Sequence, residues 1–240
     1  MKPILLIRND RSESFGTAPS SLAMAGLDVV TANLPAGSSL PALDDVAGVI
    51  TFGGTVNVDQ VGDHPYLADV RRITREAVDR GVPYLGICLG SQILARALDV
   101  EVRRGDLKEV GFEVIHPTPD AKEDALLSFL GEDEMVMQWH EDTHPLPDGA
   151  VLLATSEAIP VQGYRVGELA WGIQFHLEVD AAELDWWLDI ADSLMDVEAA
   201  WGKSTARIRE EAREHMAAHE ERGREIFRRF AEVARQRVEG

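Results

Sequence analysis

A single cysteine occupies a position typical of a catalytic nucleophile. Residues 82–92 read VPYLGICLGSQ, in which an apolar, strand-like run ends at Cys88 and a helical pattern begins at Leu89. Flanking Gly86 and Gly90 are typical of a strand–turn–helix elbow, because a sharp turn brings backbone segments too close for side chains. Unpaired N–H groups and the helix dipole at a helix N-terminus stabilise a thiolate. The pattern predicts a nucleophile, and the alternative is a small cysteine buried between packing glycines.

A histidine and a glutamate much later in the chain have the spacing of a general base and its orienting carboxylate. Residues 171–178 read WGIQFHLE and predict a strand. Because strand side chains alternate between faces, His176 and Glu178 should point to one side of the strand. Trp171, Ile173 and Phe175 should point to the other. A base held by a carboxylate can take the proton of a nucleophile. A polar, solvent-facing strand edge would give the same pattern.

Residues 140–144 read HEDTH, the H-E-x-x-H pattern of zinc metalloproteases, without the helix that such a site needs. On a helix, positions i and i+4 aim both histidines at one metal ion. Here Pro145 disfavours helical backbone at the residue before it, and the upstream residues predict a strand running into a loop. No third ligand is suggested nearby, so we predict no metal site. His215 and His219, four apart on a predicted helix, are interpreted as core or interface residues.

The elements around Cys88 predict an α/β fold with a mostly parallel central sheet flanked by helices. Apolar runs without alternation indicate strands buried on both faces, at Ile4–Ile7, Asp28–Thr31, Ala47–Phe52 and Val82–Cys88. Helical patterns lie between them, at Pro19–Ala25, Tyr66–Arg80 and Leu89–Leu98. Alternation of strands and helices is typical of a parallel sheet with helices on both faces.

The pattern changes twice after residue 101. Short strands come first, at Gly111–Ile115, Met135–Trp139, Ala150–Ser156, Gln162–Arg165 and Ala170–His176, with one helix near Asp120–Leu130. Two helices follow, at Ala181–Met195 and Thr205–Val238. The second has an apolar stripe, which we expect to dock on the sheet domain or on another subunit. We divide the chain into a domain at residues 1–195 and a C-terminal helical extension at residues 196–240.

Charge and composition limit the partners and the compartment. The 240 residues carry a net charge of −19 at pH 7, and the pI is about 4.7. This charge disfavours unaided binding to nucleic acid or to an anionic membrane. One cysteine excludes an internal disulfide and fits a reducing compartment. The apolar run Ile4–Ile7 is too short for a signal sequence and no stretch approaches a membrane span, so we expect a soluble, cytoplasmic protein.

Three spaced motifs together resemble the class I glutamine amidotransferases. They are a cysteine elbow, a His-x-Glu motif and a glycine loop, read as GICLGSQ at 86–92, FHLE at 175–178 and TFGG at 51–54. The resemblance covers about residues 1–180 and implies a flavodoxin-like fold with no required cofactor or metal. It implies a catalytic triad of Cys88, His176 and Glu178. It further implies an oxyanion hole made by the N–H groups of Gly54 and Leu89. The family's usual FHPE is FHLE here, a departure that leaves the triad residues in place.

The resemblance also implies which residues bind the substrate. Residues 139–142, WHED, lie where the family has a loop that contacts the α-amino and carboxylate groups of glutamine. The expected substrate-binding set is Gly53, Gln92, His140, Glu141 and Asp142. A glycine follows the histidine in several members, whereas Glu141 follows it here. An acidic side chain near a carboxylate is repulsive, so this residue puts the details of carboxylate recognition in question.

The family's chemistry leaves three functions open. The first is a free-standing glutaminase, resembling the glutaminase half of GMP synthetase, that supplies ammonia to a synthetase partner in trans. No Ser-Gly-Gly-x-Asp-Ser pyrophosphatase loop occurs in the sequence, and the C-terminal helices are a candidate docking surface or homo-oligomer contact. The second is a hydrolase or peptidase of γ-glutamyl compounds that needs no partner. The third is a non-catalytic regulatory subunit that keeps the fold.

Overall fold

A computed structural model describes residues 1–10 and 14–239. Nine strands within these ranges form one sheet in the order β2-β1-β3-β4-β9-β8-β7-β5-β6. The strands are β1 (Ile4–Arg8), β2 (Val29–Asn33), β3 (Gly48–Thr51), β4 (Tyr84–Ile87), β5 (Arg103–Pro117), β6 (Glu134–Thr143), β7 (Val151–Thr155), β8 (Gly163–Val166) and β9 (Ala170–Ile173). The helices are α1 (Ala18–Met24), α2 (Tyr66–Asp79), α3 (Leu89–Ala97), α4 (Ala181–Leu194), α5 (Val197–Trp201) and α6 (Thr205–Glu239).

The sheet is mixed, whereas a mostly parallel sheet was predicted. The strands predicted from continuous apolar runs all lie in its parallel half. Strands β2, β1, β3, β4 and β9 pair in parallel, whereas β9, β8, β7, β5 and β6 pair antiparallel. Strand β1 illustrates the double burial, because Ile4 packs in the core on one face and Leu5 in the core on the other. Parallel strands covered on both faces need apolar residues at every position, which is why these segments show no alternation.

Helix α6 belongs to the main core. The side chains of Ile226, Phe227 and Phe230 are fully buried, and they share a core cluster with Ile4 of β1 and Phe52 beyond β3. The stripe that we expected to dock on the sheet domain or on another subunit therefore packs on the chain's own sheet. None of the helices in the described ranges, α6 included, combines the length and apolarity needed to cross a membrane.

Two predicted elements differ most from the structure. The helix expected near Asp120–Leu130 is wrong, since the regular structure there is one 3₁₀ helix at Pro119–Glu123. Just beyond it, the side chain of Asp124 accepts hydrogen bonds from the N–H groups of Leu126 and Leu127. Such local bonds give the backbone an alternative to a helix. Strand β5 is also much longer than the predicted Gly111–Ile115, because pairing with β6 extends it into polar residues.

Candidate active site

Cys88 lies on a strained turn between β4 and α3. Its backbone has φ of 51° and ψ of −110°, an unusual conformation for a residue with a side chain. A Cβ atom added at Gly86 would lie 2.3 Å from the carbonyl oxygen of Gly90, and one added at Gly90 would lie 2.0 Å from that of Thr51. Only glycine fits at either position. The N–H of Cys88 donates to the carbonyl of Ile173 at 2.8 Å, which ties the turn to β9.

His176 and Glu178 form a buried pair just beyond the end of β9. Nδ1 of His176 lies 2.7 Å from Oε1 of Glu178. The strand ends at Ile173, three residues earlier than predicted, but the N–H of His176 donates to the carbonyl of Met137 at 2.8 Å and forms an isolated β-bridge with β6. The carbonyl of Glu178 accepts from the N–H of Thr17 at 2.8 Å. The segment that carries both side chains is therefore held from two directions.

The thiol and the imidazole face the same point. A methyl group added at Gly53 would lie 3.1 Å from Cε1 of His176 and 3.9 Å from Sγ of Cys88. Burial lowers the pKa of His176, but the nearby Glu178 carboxylate and the Cys88 sulfur outweigh it, and the pKa is raised well above its usual value. A raised pKa makes the imidazole a stronger base. The structure thus brings Cys88, His176 and Glu178 together, although the cysteine and the histidine are 88 positions apart in the sequence.

Gly54 and Leu89, the predicted oxyanion-binding residues, lie side by side near Cys88. A Cβ atom added at Gly54 would lie 2.8 Å from the carbonyl oxygen of Asn9 and 3.0 Å from Cδ2 of Leu89. The side-chain amide of Asn9 donates to the carbonyl of Phe52 at 2.8 Å and so braces the glycine loop. Leu89 is the first residue of α3, where N–H groups have no partner within the helix. Both residues line the same cleft as Cys88.

Gln92, His140 and Asp142 form a polar wall of this cleft. Nε2 of Gln92 lies 3.4 Å from the carbonyl oxygen of Asp142, and Nδ1 of His140 lies 3.2 Å from the same oxygen. Oδ2 of Asp142 accepts from the side-chain amide of Asn57 at 2.6 Å. His140 is held from its other side by Glu109, at 2.8 Å between Nε2 and Oε2. Burial raises the pKa of Glu109, but hydrogen bonds from His140 and its other partners dominate and lower it.

Glu141 carries a charge that two basic residues offset. One of its carboxylate oxygens lies 2.5 Å from the guanidinium of Arg104, and the other lies 3.1 Å from Nζ of Lys108. The repulsion that we expected between Glu141 and a substrate carboxylate is therefore reduced, since the acid already has cationic partners. Both Glu141 and Arg104 line the cleft.

The H-E-x-x-H residues lie on β6 and its end, where they take separate partners. His140 is bound to Glu109, while Nδ1 of His144 lies 2.9 Å from the carbonyl of Pro145. The ring of His144 packs edge-on against Tyr164. The prediction that this segment is not helical is confirmed. Within residues 1–10 and 14–239, no cluster of three or more His, Cys, Asp or Glu side chains is arranged to hold a metal ion.

Sequence reasoning missed an aromatic group beside His176. The ring of Trp187 on α4 packs edge-to-face against the imidazole of His176, with centroids 5.0 Å apart and an interplanar angle of 81°. Trp139 lies 6.1 Å from Trp187 and 6.0 Å from Trp201, measured between ring centroids. The adjacent tryptophans at 186 and 187, which begin eight positions after Glu178, are the sequence feature that could have indicated this aromatic group.

It also missed a buried ion pair behind Glu178. The guanidinium of Arg8 lies 2.7 Å from Oε1 of Glu183 and 2.8 Å from Oδ1 of Asp10. Burial raises the pKa of Glu183, and the charge of Glu178 raises it further, against the opposing effect of Arg8. Arg8 lies at the carboxyl end of β1, directly after an apolar run. A charged residue in that position is the sequence feature that could have indicated a buried ion pair.

One large cleft connects these groups. Its volume is about 1130 Å³, and it is lined by Cys88, His176, Glu178, the glycine loop and the polar wall. Apolar side chains of α4 and α5 also line it. The cleft also contains the carboxylates of Asp10 and Asp63. A nucleophile, a base with its carboxylate, and backbone donors at one cleft are the parts that acyl transfer requires.

Comparisons with known sequences identify relatives with this chemistry. A family model described as glutamine amidotransferase class-I matches residues 21–186. The chain is 32% identical over 180 residues to the glutamine amidotransferase-like protein YfeJ of Salmonella typhimurium, covering 71% of this chain and 75% of that protein. It is 38% identical over 137 residues to the glutamine-hydrolysing GMP synthase of Symbiobacterium thermophilum, covering 56% of this chain and 25% of that protein. The chain thus spans about a quarter of the length of such GMP synthases.

Solved structures agree with the sequence relatives. A glutamine amidotransferase from Thermotoga maritima is 27% identical, with a TM-score of 0.86 and coverage of 96% of this chain and 98% of that one. A glutamine amidotransferase from Methylobacillus flagellatus is 26% identical, with a TM-score of 0.87 and coverage of 97% and 95%. Both alignments extend over α6, which the family match at residues 21–186 does not reach. The chain belongs to the class I glutamine amidotransferase family.

Proposed function

We propose that this protein hydrolyses the γ-amide of glutamine through a γ-glutamyl thioester on Cys88. The observation that carries the proposal is the approach of the Cys88 sulfur and the His176 imidazole to one point beside Gly53, with Glu178 hydrogen-bonded behind the imidazole. A thiol next to a base of raised pKa is readily converted to the nucleophilic thiolate. The family membership supports the same reaction.

The reaction has two halves that use the same groups. In the first, His176 takes the thiol proton and the sulfur of Cys88 attacks the amide carbon. The N–H groups of Gly54 and Leu89 bind the oxyanion, and collapse breaks the C–N bond as His176 returns the proton to the leaving ammonia. In the second, His176 takes a proton from water, which attacks the thioester and releases glutamate and the thiol. Glu178 holds the imidazole and stabilises its protonated form.

We propose that the polar wall and Gly53 bind the amino-acid end of the substrate. Gln92, His140 and Asp142 are linked to one another and lie at the same cleft as Cys88. Glu141 with its two basic partners presents both signs of charge, as recognition of a zwitterion requires. This wall would fix the γ-amide over the sulfur.

We further propose that the ammonia serves a synthetase partner. The matching GMP synthases are glutamine-hydrolysing proteins, and this likeness supports a synthetase as the acceptor of the ammonia. A reducing cytoplasm suits the reaction, because the thiol nucleophile must stay unoxidised. A γ-glutamyl hydrolase is the second candidate, and the size of the cleft favours it.

The first prediction concerns Cys88→Ala. Glutamate release from glutamine should fall by roughly 10³-fold or more, because removal of the nucleophile eliminates the thioester pathway. Intact-protein mass spectrometry should show one adduct of diazo-oxo-norleucine on the wild type and none on the variant. A folded wild-type protein that forms no adduct, and releases no glutamate from glutamine or from γ-glutamyl peptides, would instead support the non-catalytic regulatory reading.

A further inference from the structure

One side of the catalytic cleft is an exposed apolar surface. We call it the apolar wall and define it as Trp186, Ile190, Leu194 and Met195, which are 47%, 42%, 72% and 46% exposed. The first three repeat at intervals of four residues, so they form one ridge along α4. Large apolar side chains left in water are unfavourable, and a contiguous group of them beside a nucleophile indicates a binding surface.

Most of the apolar wall lies on α4, the helix whose Trp187 contacts the catalytic imidazole. Trp187, on the same helix, packs against the imidazole of His176 at 5.0 Å between ring centroids. In amide hydrolysis that imidazole donates its proton to the departing nitrogen, so it must stand beside this nitrogen. A group attached to the nitrogen would extend from His176 toward α4. The polar wall around Gln92 and Asp142 lines the same cleft.

The cleft is larger than glutamine requires. Its volume of about 1130 Å³ exceeds the roughly 300–1,000 Å³ of sites that hold drug-sized ligands. Ammonia is small and polar, and its release uses no apolar surface. A substrate whose amide nitrogen carries an apolar group would use both the extra volume and the exposed side chains.

We infer that the site also hydrolyses γ-glutamyl amides whose nitrogen bears an apolar group, with that group packed on the apolar wall. This inference rests on the proposed thioester chemistry at Cys88. The C–N bond breaks, the amine leaves with the proton from His176, and water then converts the thioester to glutamate. No oxidant, metal or further reactant is needed. Burial of the apolar group strengthens binding in proportion to the area that it removes from water.

A homologous series of γ-glutamyl n-alkylamides, from methyl to pentyl, tests the inference. These amines have nearly equal basicity, so a change in kcat/KM along the series reports packing of the chain and not leaving-group chemistry. Glutamate release is the common readout. We expect kcat/KM to rise about two- to fourfold per methylene, hence at least about tenfold from methyl to pentyl.

Two variants of the apolar wall and one control sharpen the test. Ile190→Ser and Leu194→Ser should each reduce the pentyl-to-methyl ratio of kcat/KM toward one. Met24→Ser changes an apolar residue outside the cleft that is 83% exposed, and it should leave the ratio unaltered. A flat series, or the same rise in wild type and variants, would overturn the inference. A flat series together with self-association that Leu194→Ser abolishes would assign the wall to protein contacts, which also overturns it.

The methylamide separates this inference from the proposed function. If the methylamide and glutamine are hydrolysed with Cys88 but the series is flat, only the apolar-wall inference fails. If neither compound yields glutamate and Cys88 takes no adduct, the proposed function fails as well.

Discussion

At the scale of single residues, burial controls the protonation of a histidine on α6. His219 on α6 is fully buried and packs edge-on against Phe112. Burial is the main cause that lowers its pKa to about 4, and the positive charges of Arg222 and His176 lower it further, against the raising effect of Glu178. An unfolded histidine titrates near 6.5, so the folded protein binds this proton less readily than the unfolded chain does.

The second prediction follows from that difference. The contribution of His219 to stability should be fully present above about pH 6.5 and should be lost as the pH falls toward about 4, by about 3 kcal/mol in total. Urea unfolding of the wild type and of His219→Leu across this range isolates the effect, because the variant lacks the titrating group. If both proteins lose stability in parallel with falling pH, the assignment to His219 is wrong.

At the scale of elements, α6 supports the segment that carries His176 and Glu178. A Cβ atom added at Gly223 on α6 would lie 2.2 Å from the carbonyl oxygen of Leu177, between the two, and 2.8 Å from Oγ1 of Thr17. Removal of α6 would therefore open the core and disturb the site together. A truncation after residue 207 would therefore not test partner docking alone.

The third prediction uses Gly223→Ala. In a helix interior this change normally stabilises by about 1 kcal/mol, but here the added methyl collides with the Leu177 carbonyl. We expect a net loss of about 2 kcal/mol or more in the free energy of unfolding and a lower kcat for glutamine. Gly62→Ala, where nothing lies within 4 Å, is the matched control and should change stability by less than about 0.5 kcal/mol. An increased free energy of unfolding for Gly223→Ala would show that the close contact between α6 and the Leu177 carbonyl does not constrain this segment.

Much of the fold was predictable because local sequence and tertiary structure agree there. Strands β1, β3 and β4 are apolar without alternation, and each is followed by an α-helix. The long β5–β6 pair was underestimated, because its outer ends are polar and only pairing with each other makes them strands. The helix near Asp120–Leu130 failed for a local reason, the competing hydrogen bonds of Asp124.

The site was predictable where motifs place residues close in sequence, and unpredictable where contacts are long-range. Elbow glycines and strand alternation indicated Cys88, His176 and Glu178, and their proximity then followed from the family resemblance. The Arg8–Glu183 pair joins residues 175 positions apart, and nothing local links them. Because β1 and β9 belong to the parallel part of one sheet, their carboxyl ends lie at the same edge. This tertiary arrangement brings Arg8 near the segment that follows β9.

At the scale of the whole molecule, charge should affect which γ-glutamyl compounds reach the cleft. The chain has a net charge of −19, and Asp10 and Asp63 are among the residues lining the cleft. Glutamine has no net charge at neutral pH, whereas γ-glutamylglycine carries one negative charge. The protein field should therefore slow the approach of the dipeptide more than that of glutamine.

The fourth prediction is that salt narrows this difference. Raising ionic strength from about 10 to about 150 mM shortens the Debye length from about 30 to about 8 Å, so the repulsion is largely screened. The ratio of kcat/KM for γ-glutamylglycine to that for glutamine should rise by about two- to fivefold. Sodium chloride and potassium chloride should act alike, since screening depends on ionic strength. A constant or falling ratio would mean that the cations beside Glu141 dominate the local field.

The presence of one sulfhydryl per chain, at the nucleophile itself, has a practical and a chemical consequence. A thiol-specific titrant has no other cysteine to react with, so its stoichiometry counts competent sites in any preparation. Conversely, these 240 residues contain no second cysteine that could react with peroxide in place of Cys88. Oxidation of Cys88 to a sulfenic acid would abolish the activity. A reductant would restore the activity, until further oxidation of the sulfur made the loss irreversible.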